Sequence, residues 1–159
     1  MGGADAATAE AVFRQATEAE ADQIADLVRA AYGKWVPVIG REPMPMQVDY
    51  RAALRRHRID LLEHHGALVG LIETVLHPDH LWIENLAVHP LWQGRGLGRQ
   101  LLVHAEARAR AAGCAEVRLL TNAAFASNIG LYEKTGFRRD RTEPFHLGGT
   151  TLYMSRRLD

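Results

Sequence analysis

Cysteine is nearly absent from the sequence, which holds only Cys114 among its 159 residues. One cysteine excludes a disulfide within the chain and fits a reducing compartment, so we expect a cytoplasmic protein. Cys114 follows Gly113 and opens a predicted buried strand. That position favours an inert core thiol over a catalytic one.

An excess of either charge is also absent, because 19 lysines and arginines balance 19 aspartates and glutamates. This balance argues against a general nucleic-acid or membrane-surface partner. No run approaches the roughly 18 apolar residues of a membrane span. Residues 1–10 lack the basic and apolar parts of a secretion signal. We interpret 1–10 as a disordered tail and 11–159 as one domain.

A metal-ligand pattern is missing despite eight histidines. His64-His65 and His77-x-x-His80 have loose ligand spacing, but no cysteines accompany them and both pairs lie at predicted turns. Solvated turn histidines explain this placement better than a zinc site does. We therefore predict no metal.

Regular periodicity is present throughout the rest of the chain and predicts the order βαα-βββ-α-β-α-ββ. The predicted strands cover 11–16, 59–64, 67–76, 81–88, 115–122, 137–143 and 150–158, and the predicted helices cover 18–33, 47–57, 97–113 and 127–135. This order predicts a mixed, mostly antiparallel α/β sheet with flanking helices. Residues 34–46, rich in proline, are predicted to form a long loop.

Local signals support two of these helices. Thr17 and Glu20 have the spacing of a capping box at the start of the first helix. In the long helix after the glycine stretch, helical spacing puts five apolar side chains on one face. These are Leu97, Leu101, Ala105, Ala109 and Ala112.

The stretch Gln93 to Gly98, "QGRGLG", lies between a predicted strand and that long helix. A glycine-rich turn at a helix start exposes backbone N–H groups to a phosphate, and Gln93, Arg95 and Arg99 add donors. The Walker pattern is absent, and the spacing G-x-G-x-G differs from the dinucleotide fingerprint G-x-G-x-x-G. The pattern Q/R-x-x-G-x-G/A of the pyrophosphate loop in coenzyme A acetyltransferases fits it position by position.

Two motifs, "WIENLAVHPLWQGRGLGRQLL" and "NIGLYEKTGF", together with the element order, resemble the GNAT superfamily of N-acetyltransferases. The resemblance covers the chain from about Val12. It implies an acetyl-CoA-binding fold in which the strands before and after the glycine loop splay apart and the pantetheine arm lies between them. The cofactor-binding residues it implies are Leu86, Ala87, Val88, Gln93, Gly94, Arg95, Gly96, Leu97, Gly98, Arg99 and Asn128.

Acetyl transfer to an amine needs a general acid and a general base. The resemblance implies that Tyr132 protonates the departing thiolate; the alternative is a tyrosine that only packs its helix on the sheet. Glu84 is the candidate base, with a pKa expected to rise in an apolar cleft; the alternative is a structural hydrogen bond. By strand alternation, Ile83 and Asn85 should share one face, and Trp82, Glu84 and Leu86 the other.

One departure from the family concerns the helix that carries the tyrosine. Many members have an asparagine seven residues before the tyrosine, where this chain has Phe125. Asn128 lies one helical turn before Tyr132 and is expected to contact pantetheine instead. His89, at the end of the preceding strand, is a candidate base ranked below Glu84.

The long loop and the final hairpin are expected to cover the amine acceptor, with Tyr32, Trp35, Arg41 and Glu42 as binding residues. Asp49, Tyr50, Phe145 and His146 are further candidates. Arg41 could hold a carboxylate, and Glu42 or Asp49 an ammonium. The resemblance implies that the chain acetylates a primary amine of a small molecule or protein N-terminus, with a homodimer as the candidate assembly. A non-catalytic acyl-CoA-binding sensor is the alternative, and the glycine spacing disfavours an oxidoreductase.

Overall fold

The computed structural model describes residues 11–159; the predicted tail, 1–10, lies outside the described residues. The strands are β1 Ala11–Gln15, β2 Arg58–His64, β3 Ala67–Leu76, β4 His80–Val88, β5 Glu116–Asn122, β6 Arg138–Pro144 and β7 Thr150–Arg157. The α-helices are α1 Ala21–Tyr32, α2 Val36–Ile39, α3 Tyr50–Arg56, α4 Leu97–Ala111 and α5 Ala126–Lys134.

The seven strands form one sheet in the order β1-β2-β3-β4-β5-β7-β6. Every neighbouring pair is antiparallel except β4 and β5, which run parallel. Helix α4 connects these two strands, as a parallel crossover requires. The predicted mixed, mostly antiparallel sheet with flanking helices is confirmed.

Two hydrophobic clusters cover opposite faces of this sheet. Adjacent residues of β3 show this, since Leu71 belongs to one cluster and Ile72 to the other. The Leu71 face packs under α1 and α3, and the Ile72 face packs under α4 and α5. The side chain of Cys114 is buried in the second of these clusters, as expected.

The helices differ from the sequence prediction mainly at their ends. The capping box is confirmed, because the Thr17 N–H donates to Glu20 Oε1 at 3.0 Å. Helix α3 begins at Tyr50 rather than at residue 47, because the Asp49 carboxylate caps it. Ala112 lies just past the end of α4 and is exposed rather than part of the apolar face.

The segment predicted as a long loop is partly helical. It contains α2 and 3-10 turns at Gly33–Trp35 and Met44–Gln47. Gly40, with φ of 74°, ends α2 in the left-handed conformation that glycine adopts without strain. The segment therefore has a defined shape where it passes over the sheet.

In the described part of the chain, residues 11–159, no helix combines the length and the hydropathy needed to cross a membrane. Nor does any group of three or more histidine, cysteine, aspartate or glutamate side chains in that range form a possible metal site.

Candidate functional site

The sheet opens between β4 and β5. Their parallel pairing extends only from His80–Glu116 to Ile83–Leu119, although β4 continues to Val88 and β5 to Asn122. Beyond Ile83 the two strands have no register partners in each other. The expected splay of these strands is confirmed, and it exposes main-chain groups at the centre of the sheet.

A β-bulge at Glu84 lies where the opening begins. On β3, Glu73 pairs with Asn85, and the next residue, Thr74, pairs with Ile83. Glu84 is the extra residue on β4 and has no partner on β3. Bulges of this kind bend a strand and redirect the side chains that follow.

The bulge overturns the expected alternation of β4. Ile83 packs in the α4 cluster, whereas Asn85 hydrogen-bonds to Tyr32 of α1 on the opposite face. The prediction that these two residues share a face is therefore wrong. Trp82 and Glu84 do lie together, since Trp82 Nε1 donates to Glu84 Oε2 at 2.7 Å.

The main chain of β4 beyond the bulge faces two ways. The bond from His89 N to Val69 O at 2.8 Å extends the ladder with β3. Since antiparallel bonding alternates along a strand, the groups of Ala87 point to β3, and those of Leu86 and Val88 point into the opening. Two of the three predicted residues thus face the opening, but their carbonyls have partners there. The Leu86 carbonyl accepts from the Tyr32 hydroxyl and the Val88 carbonyl accepts from Gln93 Nε2, both at 3.1 Å.

The glycines of the loop are explained by two different physical requirements. Gly94 and Gly96 have φ of 79° and 80°, a region that other residues rarely adopt, and an added Cβ would point into open space. Gly98 has an ordinary φ, but an added Cβ would lie 2.7 Å from Leu131 Cδ2. Gly98 therefore allows α4 to approach α5.

These residues line a cleft of about 310 Å³, the glycine cleft. Its lining comprises Ala31, Tyr32, Lys34, Trp35, Leu86, Ala87, Val88, Trp92, Gln93, Gly94, Gly96, Leu97, Gly98, Arg99, Ser127, Asn128 and Leu131. It includes every predicted cofactor-binding residue except Arg95, whose guanidinium lies 4.7 Å from the centre of the Trp92 ring.

The glycine cleft has the chemistry of an anion site. It lies at the start of α4, a helix of 15 residues whose first N–H groups have no partner within the helix. Arg99 adds a positive charge, and so does Lys34, whose Nζ donates to Gln93 Oε1 at 3.2 Å. Lys34 was not predicted. Together with two glycines that add no Cβ, this donor set fits a diphosphate.

A second cleft, of about 260 Å³, lies on the other side of the opening. Two carboxylates, Glu73 and Glu84, line it, and we call it the carboxylate cleft. Its other lining residues include Tyr32, Arg41, Tyr50, Arg56, His57, Asn85, Leu86, Leu120, Phe125, Tyr132 and Phe145. Tyr32 and Leu86 line both clefts, so the two clefts meet at the opening of the sheet.

A hydrogen-bonded chain forms the floor where the clefts meet. The single proton of the Tyr32 hydroxyl is shared between two acceptors, Asn85 Oδ1 at 2.8 Å and the Leu86 carbonyl at 3.1 Å. Asn85 Nδ2 donates to the Tyr50 hydroxyl at 3.1 Å, which donates to the Pro45 carbonyl at 2.7 Å. Buried and satisfied polar groups of this kind fix the positions of their neighbours.

Tyr132 reaches the carboxylate cleft from α5. Its side chain is buried beside Phe137, and burial raises the pKa of its hydroxyl above the ordinary range. The group is therefore protonated at neutral pH and able to donate. No hydrogen bond joins this hydroxyl to any other residue within 11–159.

Glu73 and His57 form a pair that the sequence analysis missed. Glu73 is 3% exposed, and its Oε2 lies 2.7 Å from His57 Nδ1. Burial raises the pKa of the Glu73 carboxyl, although the hydrogen bond with His57 opposes this shift. The available signal was a charged residue inside the otherwise apolar run "ALVGLIETVL". Glu84, by contrast, is exposed.

Two of the predicted acceptor residues do not lie in the carboxylate cleft. Trp35 lines the glycine cleft, where its ring stacks on Phe125 at 4.7 Å. Phe125 thus fills the position of the family's asparagine with an aromatic contact. Glu42 lies in neither cleft, and its Oε2 is 3.7 Å from Arg29 Nη1.

Arg41 does lie in the carboxylate cleft, and the final hairpin holds it there. Its guanidinium is 5.0 Å from the centre of the Phe145 ring, and its Nη2 donates to the Gly148 carbonyl at 3.4 Å. The loop and the hairpin therefore meet over this cleft, as the sequence predicted.

Two further candidates cap helical turns outside both clefts. Asp49 Oδ1 accepts from the N–H groups of Arg51 and Ala52 at 3.1 and 3.3 Å. His89 Nδ1 accepts from the Leu91 N–H at 3.1 Å. These contacts favour structural roles for both side chains.

The model of the acetyltransferase (GNAT) family matches residues 21–137. The chain is 36% identical over 83 residues to mycothiol acetyltransferase of Saccharopolyspora erythraea, a match covering 52% of this chain and 27% of that protein.

It is also 36% identical over 76 residues to the [ribosomal protein bS18]-alanine N-acetyltransferase of Escherichia coli, covering 48% of this chain and 51% of that protein. The chain thus spans about half the length, or less, of these curated relatives. The PaiA N-acetyltransferase of Thermoplasma acidophilum, solved with coenzyme A, superposes with a TM-score of 0.77 at 17% identity, over 93% of this chain and 99% of that one.

Proposed function

Since the chain belongs to the GNAT family of acetyltransferases, we propose that it transfers an acetyl group from acetyl-CoA to a primary amine. The meeting of the two clefts at the splayed strands carries this proposal. One cleft offers donors for a diphosphate, and the other offers carboxylates and a tyrosine for proton transfer. Thioester and amine would approach each other at Leu86.

The glycine cleft would hold the donor. Acetyl-CoA, when bound, supplies a thioester carbonyl open to attack by an amine. The N–H groups at the start of α4 and the side chains of Lys34 and Arg99 would bind its diphosphate. The main-chain N–H groups of Leu86 and Val88 point into the opening and would donate to the amide carbonyls of the pantetheine arm, as in strand addition. Asn128, on α5, lines the same cleft.

Tyr132 would act as the general acid. A thiolate leaving group needs a proton, and a buried, protonated hydroxyl at the edge of the opening can supply it. Because burial keeps the hydroxyl protonated, the group is ready to donate at neutral pH.

Glu84 would act as the general base. The bulge puts its carboxylate in the carboxylate cleft at the point where the strands separate. Trp82 binds one of its oxygens and fixes the direction of the side chain. An amine of pKa about 10 is mostly protonated at pH 7, so it must lose a proton before it attacks.

The test is release of free thiol from acetyl-CoA in the presence of a panel of amines. The panel holds a peptide with amino-terminal alanine, a small amino acid, spermidine and an aminoglycoside, so that it covers the acceptor classes the mixed cleft admits. We expect at least one amine to raise thiol release well above hydrolysis, with acetylated amine found by mass spectrometry. Acetyl-CoA binding without any release would overturn the proposal in favour of a non-catalytic acyl-CoA sensor.

A further inference from the structure

Acetylation of an ammonium group breaks two of its N–H bonds. Tyr132 donates a proton to the thiol sulfur. One of the two protons from the ammonium replaces the proton that Tyr132 has lost, and the other reaches solvent. A single carboxylate that has taken the first proton must lose it before it can take the second. The roles given to Glu84 and Tyr132 therefore leave room for a second proton acceptor.

The carboxylate cleft contains a suitable group. His57 lies at the end of α3, and its side chain is 24% exposed, while that of its partner Glu73 is 4% exposed. The contact of 2.7 Å engages the Nδ1 atom of the ring. When Nδ1–H donates to a carboxylate, Nε2 carries the free lone pair and can accept a proton.

Titratable groups from three neighbouring elements interact electrostatically with Glu73. Glu84 of β4 disfavours a second negative charge on Glu73, and Arg56 of α3 offsets that repulsion. Tyr50 of α3 and Tyr32 of α1 also interact electrostatically with Glu73. None of these neighbours is an imidazole, which is the side chain that ordinarily titrates near neutral pH.

We propose that the His57 imidazole, oriented by the buried carboxylate of Glu73, is a second proton acceptor of the carboxylate cleft. This inference rests on the proposed acetyl transfer. Glu84 takes one proton from the incoming ammonium, and the amine attacks. The second N–H bond then breaks as a bond to Nε2 forms. The imidazolium stays paired with the Glu73 carboxylate until its proton passes to solvent. The proton taken by Glu84 passes through solvent to the Tyr132 phenolate that thiol formation leaves, which restores both groups.

The first test needs no acceptor. Long-range nitrogen NMR on the free protein distinguishes the two neutral tautomers of His57. We expect Nδ1–H with an unprotonated Nε2. The opposite tautomer, with the proton on Nε2 and a protonated Glu73 donating to Nδ1, would overturn the proposal, because Nε2 would have no lone pair to accept a proton.

The second test uses the panel amine that gives the highest rate, starting from the alanyl peptide. His57→Ala should lower kcat roughly 10- to 100-fold, which is less than the usual contribution of about 10²- to 10⁴-fold from a proton-transfer group, because Glu84 remains. Added imidazole should restore part of the rate at pH 7. Raising the pH should also restore part of it, because an amine that arrives unprotonated leaves Glu84 free to take the remaining proton. Glu73→Gln, which keeps a hydrogen-bond acceptor, should lower kcat less.

His104 offers a matched control. Its Nε2 lies 2.9 Å from Oδ2 of the buried Asp60, and its side chain is 23% exposed, close to the 24% of His57. It lies on α4, outside both clefts. His104→Ala should leave kcat within about twofold of the wild type. Loss of activity in His57→Ala without imidazole rescue, in a folded protein, would show a structural role and overturn the relay. Absence of thiol release by the wild type would instead overturn the proposed function.

Discussion

The two clefts are built in opposite ways. The glycine cleft is formed largely by one continuous stretch, from Leu86 to Arg99, whose shape depends on two left-handed glycines and a helix start. The carboxylate cleft takes its polar groups from α1, α3, β3, β4 and α5, and contacts between residues distant in the chain hold them. Backbone geometry therefore specifies one cleft, and tertiary packing the other.

This difference separates binding from chemistry. Changes in the glycine cleft should act on affinity for acetyl-CoA, and changes in the carboxylate cleft on turnover.

Tyr132→Phe should lower turnover by roughly 100-fold, within the usual range for loss of a general acid, with little change in acetyl-CoA affinity. The substitution removes only a hydroxyl that makes no hydrogen bond to another residue within 11–159, so packing beside Phe137 should persist. Thiol-release kinetics and calorimetric titration measure the two quantities separately.

Tyr153→Phe is the matched control, because its hydroxyl donates to Glu143 at 3.2 Å outside both clefts. It should keep wild-type turnover. If Tyr132→Phe and the wild type have equal turnover while the chemical step is rate-limiting, then Tyr132 has only a packing role. The carboxylate cleft would then not control turnover through this residue.

The same division explains what the sequence could predict. The glycine loop was predictable because the requirements of Gly94 and Gly96 are local, a left-handed φ that other residues rarely adopt. The element order was predictable because hydrophobic periodicity follows burial. The bulge at Glu84 was not, since it depends on the register of β4 against β3, and it defeated the simple alternation of strand faces.

The acid–base groups of the carboxylate cleft were only half predictable. Glu84 and Tyr132 lie inside recognisable motifs. Glu73 and His57 are 16 residues apart, and they meet because β2, which begins at the residue after His57, pairs with β3 so that Ile59 lies opposite Glu73. Glu42 and Asp49 had suitable charges, but their contacts with Arg29 and with the start of α3 keep them out of the cleft. No local pattern distinguishes these cases.

Glu84→Gln should lower the rate of acetyl transfer at pH 7 by a factor of several tens, and the rate of the variant should recover partly as the pH rises. Glutamine can still accept the hydrogen bond from Trp82 but cannot take a proton, and free amine accumulates toward pH 10. A pH–rate profile with the acceptor identified above measures this. Glu63→Gln, on β2 outside both clefts, is the control. A variant profile identical to the wild type would make Glu84 structural.

Gly96→Asn should weaken acetyl-CoA binding about tenfold, equal to about 1.4 kcal/mol. Asparagine tolerates the left-handed region better than most residues, and its side chain would point into open space in the glycine cleft. Gly113→Asn has the same backbone strain, with φ of 77°, outside both clefts. Calorimetry should show weaker binding only for Gly96→Asn; equal affinity in both variants would contradict the assignment.

The smallest effects should appear in stability, where two buried carboxylates with histidine partners respond with opposite signs. Burial raises the pKa of Glu73 despite His57. Burial also acts to raise the pKa of Asp60, but its hydrogen bonds with His104 and Arg58 outweigh burial and lower it overall. The folded protein thus disfavours the ionised form of Glu73, which pairs with His57, and favours the ionised form of Asp60, which pairs with His104.

Linkage gives the direction of each change. The carboxyl pKa of Glu73 is higher in the folded chain than in the unfolded chain, where it is about 4. Its contribution to folding stability is therefore fully present below about pH 4 and is lost as the pH rises through the pKa of the folded state. Glu73→Gln should therefore match the wild type in acid and have a higher Tm at pH 7. A lowered pKa means that the stability from Asp60 is present above about pH 4 and is lost as pH falls, so Asp60→Asn should lower the Tm at pH 7 and match the wild type in acid.

Thermal unfolding of both variants across pH 3 to 8 measures these differences, which should amount to a few degrees at roughly 2–4 °C per kcal/mol for a chain of this length. A Tm gain at pH 7 in Glu73→Gln, together with its loss of turnover, would show that the carboxylate cleft keeps an unfavourable buried charge for its chemistry, as functional sites often do. If Glu73→Gln instead destabilises the protein at pH 7 as Asp60→Asn does, then the Glu73–His57 pair is a structural contact like its counterpart on α4, and the contrast between the two pairs disappears.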